Sequence, residues 1–366
     1  MDPVELHRSQ PVDPLRTRAV SDPFGFELLG RRIDVIENLL ERYLSTPLPP
    51  IRLSEGSVKV TGIGSSRAHG EYLADLLRRS SHYNASFQEV PYDGNREAFS
   101  RSSTVLFSQG LSSNTHGIVQ QQILDNNGLL FTAVTPEGLT QGGAADKAHL
   151  LGILNSSDVC IVPMPLEDEY QTLIRVVGPW YGYLAAYRVA SELLPDQFPV
   201  VDVSELKAMF PRAKESAAAV LKALPRTELE RGIHLVSYGP VGAMKNIGEK
   251  FLEGAFLSRP TLSSILEFDH GPFQFVARRG GQVFLFRSLD EGEHESAQIL
   301  RTSLEGCGAP ALIEIFSQLP EPLRILEYEM VMNHVMLALM EERGSACDQV
   351  GFVEGGNYHK APGNPS

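Results

Sequence analysis

The chain is poor in the residues that build disulfides, zinc sites and membrane spans. Its three cysteines, Cys160, Cys307 and Cys347, are far apart in 366 residues and lack the close spacing of metal ligands. No apolar run approaches the length of a membrane-spanning helix, and the first residues lack the pattern of a secretory signal. We therefore expect reduced thiols, no bound metal, no membrane partner and a cytoplasmic protein.

Positive charge is also scarce. The chain has 32 Lys and Arg against 45 Asp and Glu, which gives a formal net charge of −13. This balance argues against a nucleic-acid partner and against anionic membrane surfaces. The length and the hydrophobic content of 42% favour a globular protein with two domains, or two halves of one large α/β unit.

Apolar runs alternate with helical patterns, as in parallel, doubly wound α/β sheets. The predicted strands of the first half are 58–61, 87–90, 104–107, 130–134 and 159–163, and those of the second half are 234–238, 275–277, 283–286 and 311–315. The main predicted helices are 28–44, 171–194, 245–254 and 323–342. The similar alternation of strands and helices in the two halves predicts two tandem domains, at 46–197 and 198–346. An N-terminal arm and helix at 1–45 precede them, and a tail at 347–366 follows.

A loop rich in hydroxyl groups follows the run 104–107. Its sequence is Ser108-Gln109-Gly110-Leu111-Ser112-Ser113-Asn114-Thr115, and no Lys or Arg lies between Thr104 and Ala145. Backbone amides at a helix start favour a dianion, and the hydroxyl groups add donors without charge. The loop therefore predicts a site for a small phosphate monoester. The alternative is a surface loop in which Ser112 or Asn114 caps a helix.

The turn Gly62-Ile63-Gly64-Ser65-Ser66 follows the first predicted strand. It is not a convincing dinucleotide fingerprint, because Arg67 occupies the place of the third glycine and no acidic residue clearly ends the second strand. Adjacent parallel strands deliver their loops to one crevice. We therefore expect this turn to lie beside the Ser108 loop.

Groups suited to proton transfer occur in the second half. Lys250 and Glu253 lie three residues apart on a predicted helix, and His270 precedes Gly271-Pro272. A carboxylate that takes a proton from carbon and a histidine that opens a sugar ring are what an aldose–ketose isomerisation needs. The alternative is a charged helix surface and a histidine in a turn.

In this order and spacing, the motifs resemble the tandem sugar-isomerase (SIS) domain family, above all the isomerase portion of glucosamine-6-phosphate synthase. The resemblance spans residues 55–360 and implies an α/β fold of two tandem SIS-type domains. It implies phosphate binding by Gly64, Ser65, Ser66, Ser108, Gln109, Ser112, Ser113 and Thr115, and substrate binding by Glu169 and Thr172. The loop is about two residues longer than the family's, so the individual roles of Ser112, Ser113 and Thr115 stay open.

The resemblance also implies catalytic roles. Lys250 and Glu253 match a Lys-x-x-Glu motif whose Glu moves the proton between C1 and C2. His270 matches a ring-opening histidine that the neighbouring subunit supplies, which implies a homodimer. Lys360 matches a lysine that contacts the open-chain sugar and can form an imine with the ketose carbonyl. No metal or redox cofactor is implied.

Two departures from the family matter. No glutaminase domain or N-terminal nucleophilic cysteine is found, so glutamine-dependent amide transfer is not expected. The tail is longer, and Gly355-Gly356 replaces the family's Pro-Arg, so a solvated tail is the alternative for Lys360. The sequence thus predicts a phosphosugar isomerase. The alternatives are a fructosamine-type phosphate deglycase or amino sugar phosphate deaminase, and a non-catalytic regulator that senses sugar phosphates.

Overall fold

The computed structural model describes residues 25–89, 102–111, 128–136, 147–156, 159–165, 172 and 174–344. In this part the helices are α1 (Phe26–Ser45), α2 (Ser65–Arg78), α3 (Lys147–Leu154), α4 (Val177–Leu193), α5 (Val203–Ala223), α6 (Arg226–Leu229), α7 (Lys245–Glu253), α8 (Ile265–His270), α9 (Pro272–Arg279), α10 (Glu291–Gly306) and α11 (Arg324–Arg343). The strands are β1 (Gly56–Gly62), β2 (Tyr83–Phe87), β3 (Ser103–Phe107), β4 (Leu129–Thr132), β5 (Cys160–Pro163), β6 (Ile233–Ser237), β7 (Thr261–Ser264), β8 (Gln282–Ser288) and β9 (Ile313–Ser317).

The strands form two parallel sheets with matching order. The first sheet is β2-β1-β3-β4-β5, and the second is β7-β6-β8-β9. In the first sheet Gly62 is paired with Phe107, and in the second Ser237 is paired with Phe286. The chain reverses its direction of winding beside β1 in the first sheet and beside β6 in the second, and such switch points are where open α/β sheets bind ligands.

A layer of helices lies between the two sheets. One apolar core joins alternate residues of β1, β3, β6 and β8 to α1, α2, α4, α5, α7 and α11. Separate clusters cover the opposite faces, with α3 on the first sheet and α8, α9 and α10 on the second. The predicted α/β class with parallel, doubly wound sheets is confirmed.

The predicted element boundaries were partly correct. Helix α1 and strand β1 lie where their patterns indicated, but the predicted strand 275–277 is wrong because those residues belong to α9. The long helix predicted from residue 171 begins at Val177, and β7 was not predicted. No helix within the described residues combines the length and apolar character needed to cross a lipid bilayer.

Candidate active site

The switch point of the first sheet brings together the two predicted phosphate-binding segments. Strand β1 ends at Gly62, and α2 begins at Ser65 with Gly64 as its N-cap residue. Strand β3 ends at Phe107, the register partner of Gly62, so the chain enters the Ser108 loop beside this turn. The first turn of α2 has no acidic residue and no side-chain cap. The Arg67 amide donates to the Gly64 carbonyl (3.0 Å), which leaves the amides of Ser65 and Ser66 for an anion.

Ser108 and Gln109 are held by β4. The Ser108 amide donates to the Phe131 carbonyl (2.9 Å), and the Gln109 carbonyl accepts from the Ala133 amide (3.0 Å) and the Thr132 hydroxyl (3.1 Å). Both side chains are buried. The backbone of this segment is fixed by the sheet, so its side chains have a defined direction.

The Gln109 side chain lies against the start of α4. Its amide occupies the space that a Cβ atom at residue 178 would need, so any larger residue there would displace the Gln109 side chain. Leu111, two residues further on, has a φ of 44°, a left-handed conformation that non-glycine residues rarely adopt. Such conformations cluster at functional sites. The phosphate-loop segment and the start of α4 thus form one packed unit.

Glu253 reaches the same region from the second half of the chain. It is the last residue of α7, and the next residue, Gly254, lies where a Cβ would be 3.0 Å from Ile174 Cγ2 and 2.9 Å from Met340 Sδ. Ile174 lies three residues before α4. Gln109 therefore contacts the first turn of α4 at Gly178, and the end of α7 contacts the segment that leads into it.

The environment of Glu253 raises the pKa of its carboxyl group. The residue as a whole is exposed, but desolvation of its carboxyl group by the surrounding protein is the largest cause of the raised pKa, and the negative charge of Glu249 adds to it. The positive charges of Arg175 and Arg259 act in the opposite direction. Lys250, three residues before Glu253 on the same helix, is not among the groups that oppose the shift. A raised pKa suits a group that exchanges protons with carbon.

Lys250 points away from the solvent into a buried polar cluster. Its Nζ donates to the carboxylate of Glu329 and to Asn333 Oδ1 (2.6 Å), and Asn246 Nδ2 donates to Glu329 Oε1 (2.7 Å). All four side chains are at most 4% exposed. The structure therefore places Lys250 between α7 and α11, with its charge compensated by Glu329.

His69 is a buried histidine on α2, one turn after Ser65. It packs edge-on against Tyr183, with ring centroids 4.6 Å apart, and its Nε2 has no hydrogen-bond partner among the described residues. Burial lowers the pKa of His69 to about 3; a hydrogen bond to the backbone of Pro179 opposes this shift, and the charge of Lys250 adds to it. The imidazole is therefore neutral at physiological pH.

His270 lies on the other side of the second sheet from Glu253. Phe251 of α7 belongs to the core between the sheets, whereas Phe268 of α8 packs in the cluster on the outer face of the second sheet. His270 ends α8 and is exposed. Glu253 and His270 of one chain are thus kept apart by the sheet.

Thr172 is buried, and its hydroxyl accepts a hydrogen bond from Nη1 of Arg32 on α1. Sequence reasoning missed Arg32, which is 1% exposed. The signal was available, because Arg32 lies four residues from both Leu28 and Ile36 on the apolar face of an amphipathic helix. Glu329 and Asn333, also missed, lie in the same way among buried apolar residues of α11, such as Met330 and Met332.

Five of the predicted site residues lie outside the described residues, namely Ser112, Ser113, Thr115, Glu169 and Lys360. Within the described residues, no group of three or more His, Cys, Asp or Glu side chains is arranged to hold a metal ion.

Comparison with solved structures identifies the architecture. Glucosamine-6-phosphate deaminase of Thermotoga maritima matches with a TM-score of 0.64 at 14% identity, over 88% of this chain and 96% of that chain. The C-terminal domain of glucosamine-fructose-6-phosphate aminotransferase from Francisella tularensis matches with a TM-score of 0.63 at 11% identity, over 90% and 99%. The chain has a SIS-type fold.

A third match is the tagatose-6-phosphate ketose/aldose isomerase of Escherichia coli, with a TM-score of 0.56 at 17% identity, over 89% of this chain and 95% of that chain. No family model and no curated protein matches the sequence. At these identities the likeness shows the fold alone. The reaction therefore has to be argued from the site.

Proposed function

We propose that the protein is a phosphosugar isomerase of the SIS family. The observation that supports this most is that both halves of the chain contact the segment 174–178 at the entry to α4: Gln109 packs against Gly178, and Gly254, which follows Glu253, lies against Ile174. Gln109 belongs to a segment suited to a phosphate dianion, and Glu253 is a carboxylate with a raised pKa. A ligand held by its phosphate would present its carbon chain to the carboxylate.

In the proposed reaction, the phosphate accepts hydrogen bonds from the Ser65, Ser66 and Ser108 segments. Glu253 takes the proton from C2 of the open-chain aldose, which gives an enediolate, and returns it at C1, while the proton of the C2 hydroxyl passes to the C1 oxygen, which gives the ketose. Ring opening precedes this step and needs a separate acid–base group. We assign that role to His270 of a second copy, because the second sheet separates the two residues within one chain. Lys360 remains the candidate contact to the carbonyl group.

A second candidate reaction uses the same proton transfer on an amino sugar phosphate and then releases the amine. The solved structure with a TM-score of 0.64 is a deaminase of this substrate class, which favours testing it. The two reactions differ in one product. Turnover of an amino sugar phosphate with release of ammonia would identify the deaminase, and aldose–ketose conversion without ammonia the isomerase.

Complementation between two inactive variants tests the shared site. Glu253→Gln should reduce kcat by about a hundredfold or more while phosphosugar binding persists, because the amide cannot act as a base. His270→Ala should also be inactive on ring-closed substrate. When the two variants are mixed and allowed to exchange subunits, about a quarter of the wild-type activity should return, because half of the dimers then contain one complete site.

The outcomes separate the alternatives. Full activity of the Glu253→Gln variant would remove Glu253 from the reaction. Binding of hexose phosphates by the wild-type protein without any turnover would favour the sensing regulator. If both variants are inactive and the mixture stays inactive after proven subunit exchange, the shared site is wrong. Both residues then act in the site of one copy, or His270 does not take part in the reaction.

A further inference from the structure

Helix α7 contacts α11 along one stripe with a period of four residues. Asn246, Lys250 and Gly254 form this stripe on α7, and it faces Glu329, Asn333 and Met340 on α11. Residues four apart lie on the same face of a helix, so the three contacts fix both the rotation and the axial position of α7. Glu253 lies at the end of this stripe, next to Gly254.

The contacts of this stripe are polar, although apolar side chains would hold the two helices together as well. Exposed fractions are 3% for Lys250 and 0% for Glu329, so both charges have lost their water. Replacing such a buried pair with apolar side chains is often neutral or stabilising, because desolvation offsets the attraction between the charges. Stability alone therefore does not explain why a charged pair is buried at this position. A charged pair with defined hydrogen bonds does specify one register, which apolar packing does less strictly.

A second polar contact ties α7 to the phosphate side of the site. Lys245, the first residue of α7, donates to the carboxylate of Glu71 on α2, which also accepts from Arg67 Nε (2.9 Å). Helix α2 begins with Ser65 and Ser66. Helix α7 is thus held at its start to the helix of the phosphate turn and along its length to α11.

We propose that Glu329 is a positioning residue, which acts through Lys250 and Asn246 to hold α7 in the register that aims Glu253 at the substrate. This inference rests on the proposed function. It also gives Lys250 a role different from the one that the resemblance implied, because Lys250 Nζ is directed to α11 and not to the substrate. The chemistry of turnover then depends on a residue that never touches the sugar.

The test removes both charges and keeps the hydrogen bond from Asn246. In the double variant Lys250→Met/Glu329→Gln, the new amide oxygen at position 329 can still accept from Asn246 Nδ2. We expect kcat to fall tenfold or more, with KM for the phosphosugar within twofold of wild type and the thermal midpoint nearly unchanged. A loss of about a hundredfold corresponds to a misplacement of about 1 Å.

The matched control is Arg287→Met/Glu314→Gln in the second half of the chain. This pair is similarly buried, with exposed fractions of 3% and 6%, and lies outside the candidate site. The control should keep kcat within twofold of wild type. If both double variants lose kcat equally, or if the Lys250 variant keeps wild-type kcat, the positioning role is wrong.

Two further measurements test the positioning role of Glu329 if the double variant does not fold or does not turn over substrate. If the double variant does not fold, Asn246→Leu removes one contact to Glu329 and leaves the ion pair, and it should lower kcat about threefold with KM unchanged. The pKa of Glu253, followed by carbon NMR in the unliganded protein, should fall towards its ordinary value in the double variant, because a loosened α7 is better solvated. An unchanged pKa would contradict the proposal.

The NMR measurement does not depend on turnover. Absence of activity in the wild-type protein with every phosphosugar tried would defeat the proposed function, whereas the Glu253 pKa would still test whether the cluster positions α7.

Discussion

The two sheets share a strand order, but the helices that follow their strands differ in how their first backbone amides are capped. In the first sheet, α2 follows β1 with two serines, no acidic residue in its first turn and no side-chain cap. In the second sheet, α10 follows β8 with Asp290 as its cap and with Glu291 and Glu293 in its first turn. Of these two junctions, the one between β1 and α2 leaves helix amides for an outside anion, and the one between β8 and α10 does not.

The junction between β8 and α10 is occupied by its own carboxylates. Asp290 accepts from the amides of Gly292 (2.9 Å) and Glu293 (3.3 Å), and the Glu293 carboxylate accepts from the Ser288 amide (2.6 Å) and from Arg324 (2.7 Å). These side chains use the donors that a phosphate would need. The two strand-to-helix junctions thus differ in their local side chains: the one between β1 and α2 is open to an anion, and the one between β8 and α10 is closed by carboxylates.

The largest effect is expected when an acidic side chain, like those in the first turn of α10, is introduced at the start of α2. Ser65→Asp should weaken binding of a hexose monophosphate by about a hundredfold or more, because a carboxylate next to the dianion repels it and takes its donors. Isothermal titration calorimetry measures the effect. The isosteric variant Ser65→Asn is the neutral control and should bind within a few-fold of wild type.

The reciprocal control changes the junction between β8 and α10. Asp290→Ala removes a helix cap and should cost about 1 kcal/mol of unfolding free energy, with phosphosugar affinity unchanged. If Asp290→Ala weakens binding as strongly as Ser65→Asp does, the two junctions do not differ in the way described.

A second prediction compares the buried histidines of the two halves. The pKa of His69 is lowered to about 3, and burial also lowers the pKa of His234. Between about pH 6.5 and 3 the unfolded chain binds a proton at residue 69 that the native chain does not, so stability falls as the pH falls, by at most about 1.4 kcal/mol per pH unit. This contribution is fully lost only below the native pKa.

His69→Gln should therefore reduce the difference in unfolding free energy between pH 7 and pH 5 by up to about 2 kcal/mol, measured by urea denaturation. His234→Gln is the matched variant and should reduce it less. Equal pH dependence of the His69→Gln variant and the wild type would show that His69 is already protonated in the native state at pH 5.

The smallest expected effect concerns the charges around Glu253. Glu249→Gln removes a like charge and should lower the Glu253 pKa, which moves the acidic limb of the kcat profile to lower pH. Arg175→Met removes an opposing charge and should move the limb to higher pH. Shifts in the same direction for both variants would mean that the limb reports another group.

Local patterns predicted the elements whose period was unambiguous. The apolar face from Leu28 to Leu40 predicted α1, and the short apolar run at 58–61 followed by a glycine turn predicted β1. The segment 275–277 failed because a phenylalanine, a valine and an alanine in succession fit either a strand or a helix. Pro272 at the first helical position and the glycines after Arg279 fit α9, and these boundary signals outweigh the composition.

The contacts that define the site were beyond such patterns. Lys250 and Glu329 are separated by 79 positions in sequence, and nothing local to either residue indicates the other. The same holds for Gln109 and Gly178, whose contact depends on how α4 packs under the first sheet. Motifs gave the kinds of residue in the site, whereas tertiary packing gave their distances.

The single layer of helices between the sheets bears on how this molecule could be divided. Although its halves repeat one topology, each sheet covers its inner face with helices that the other sheet also needs. Cutting the chain between the two halves would expose apolar core surface to water on both fragments. The two halves that repeat one topology therefore share a single interior, and we expect neither to fold as an independent unit.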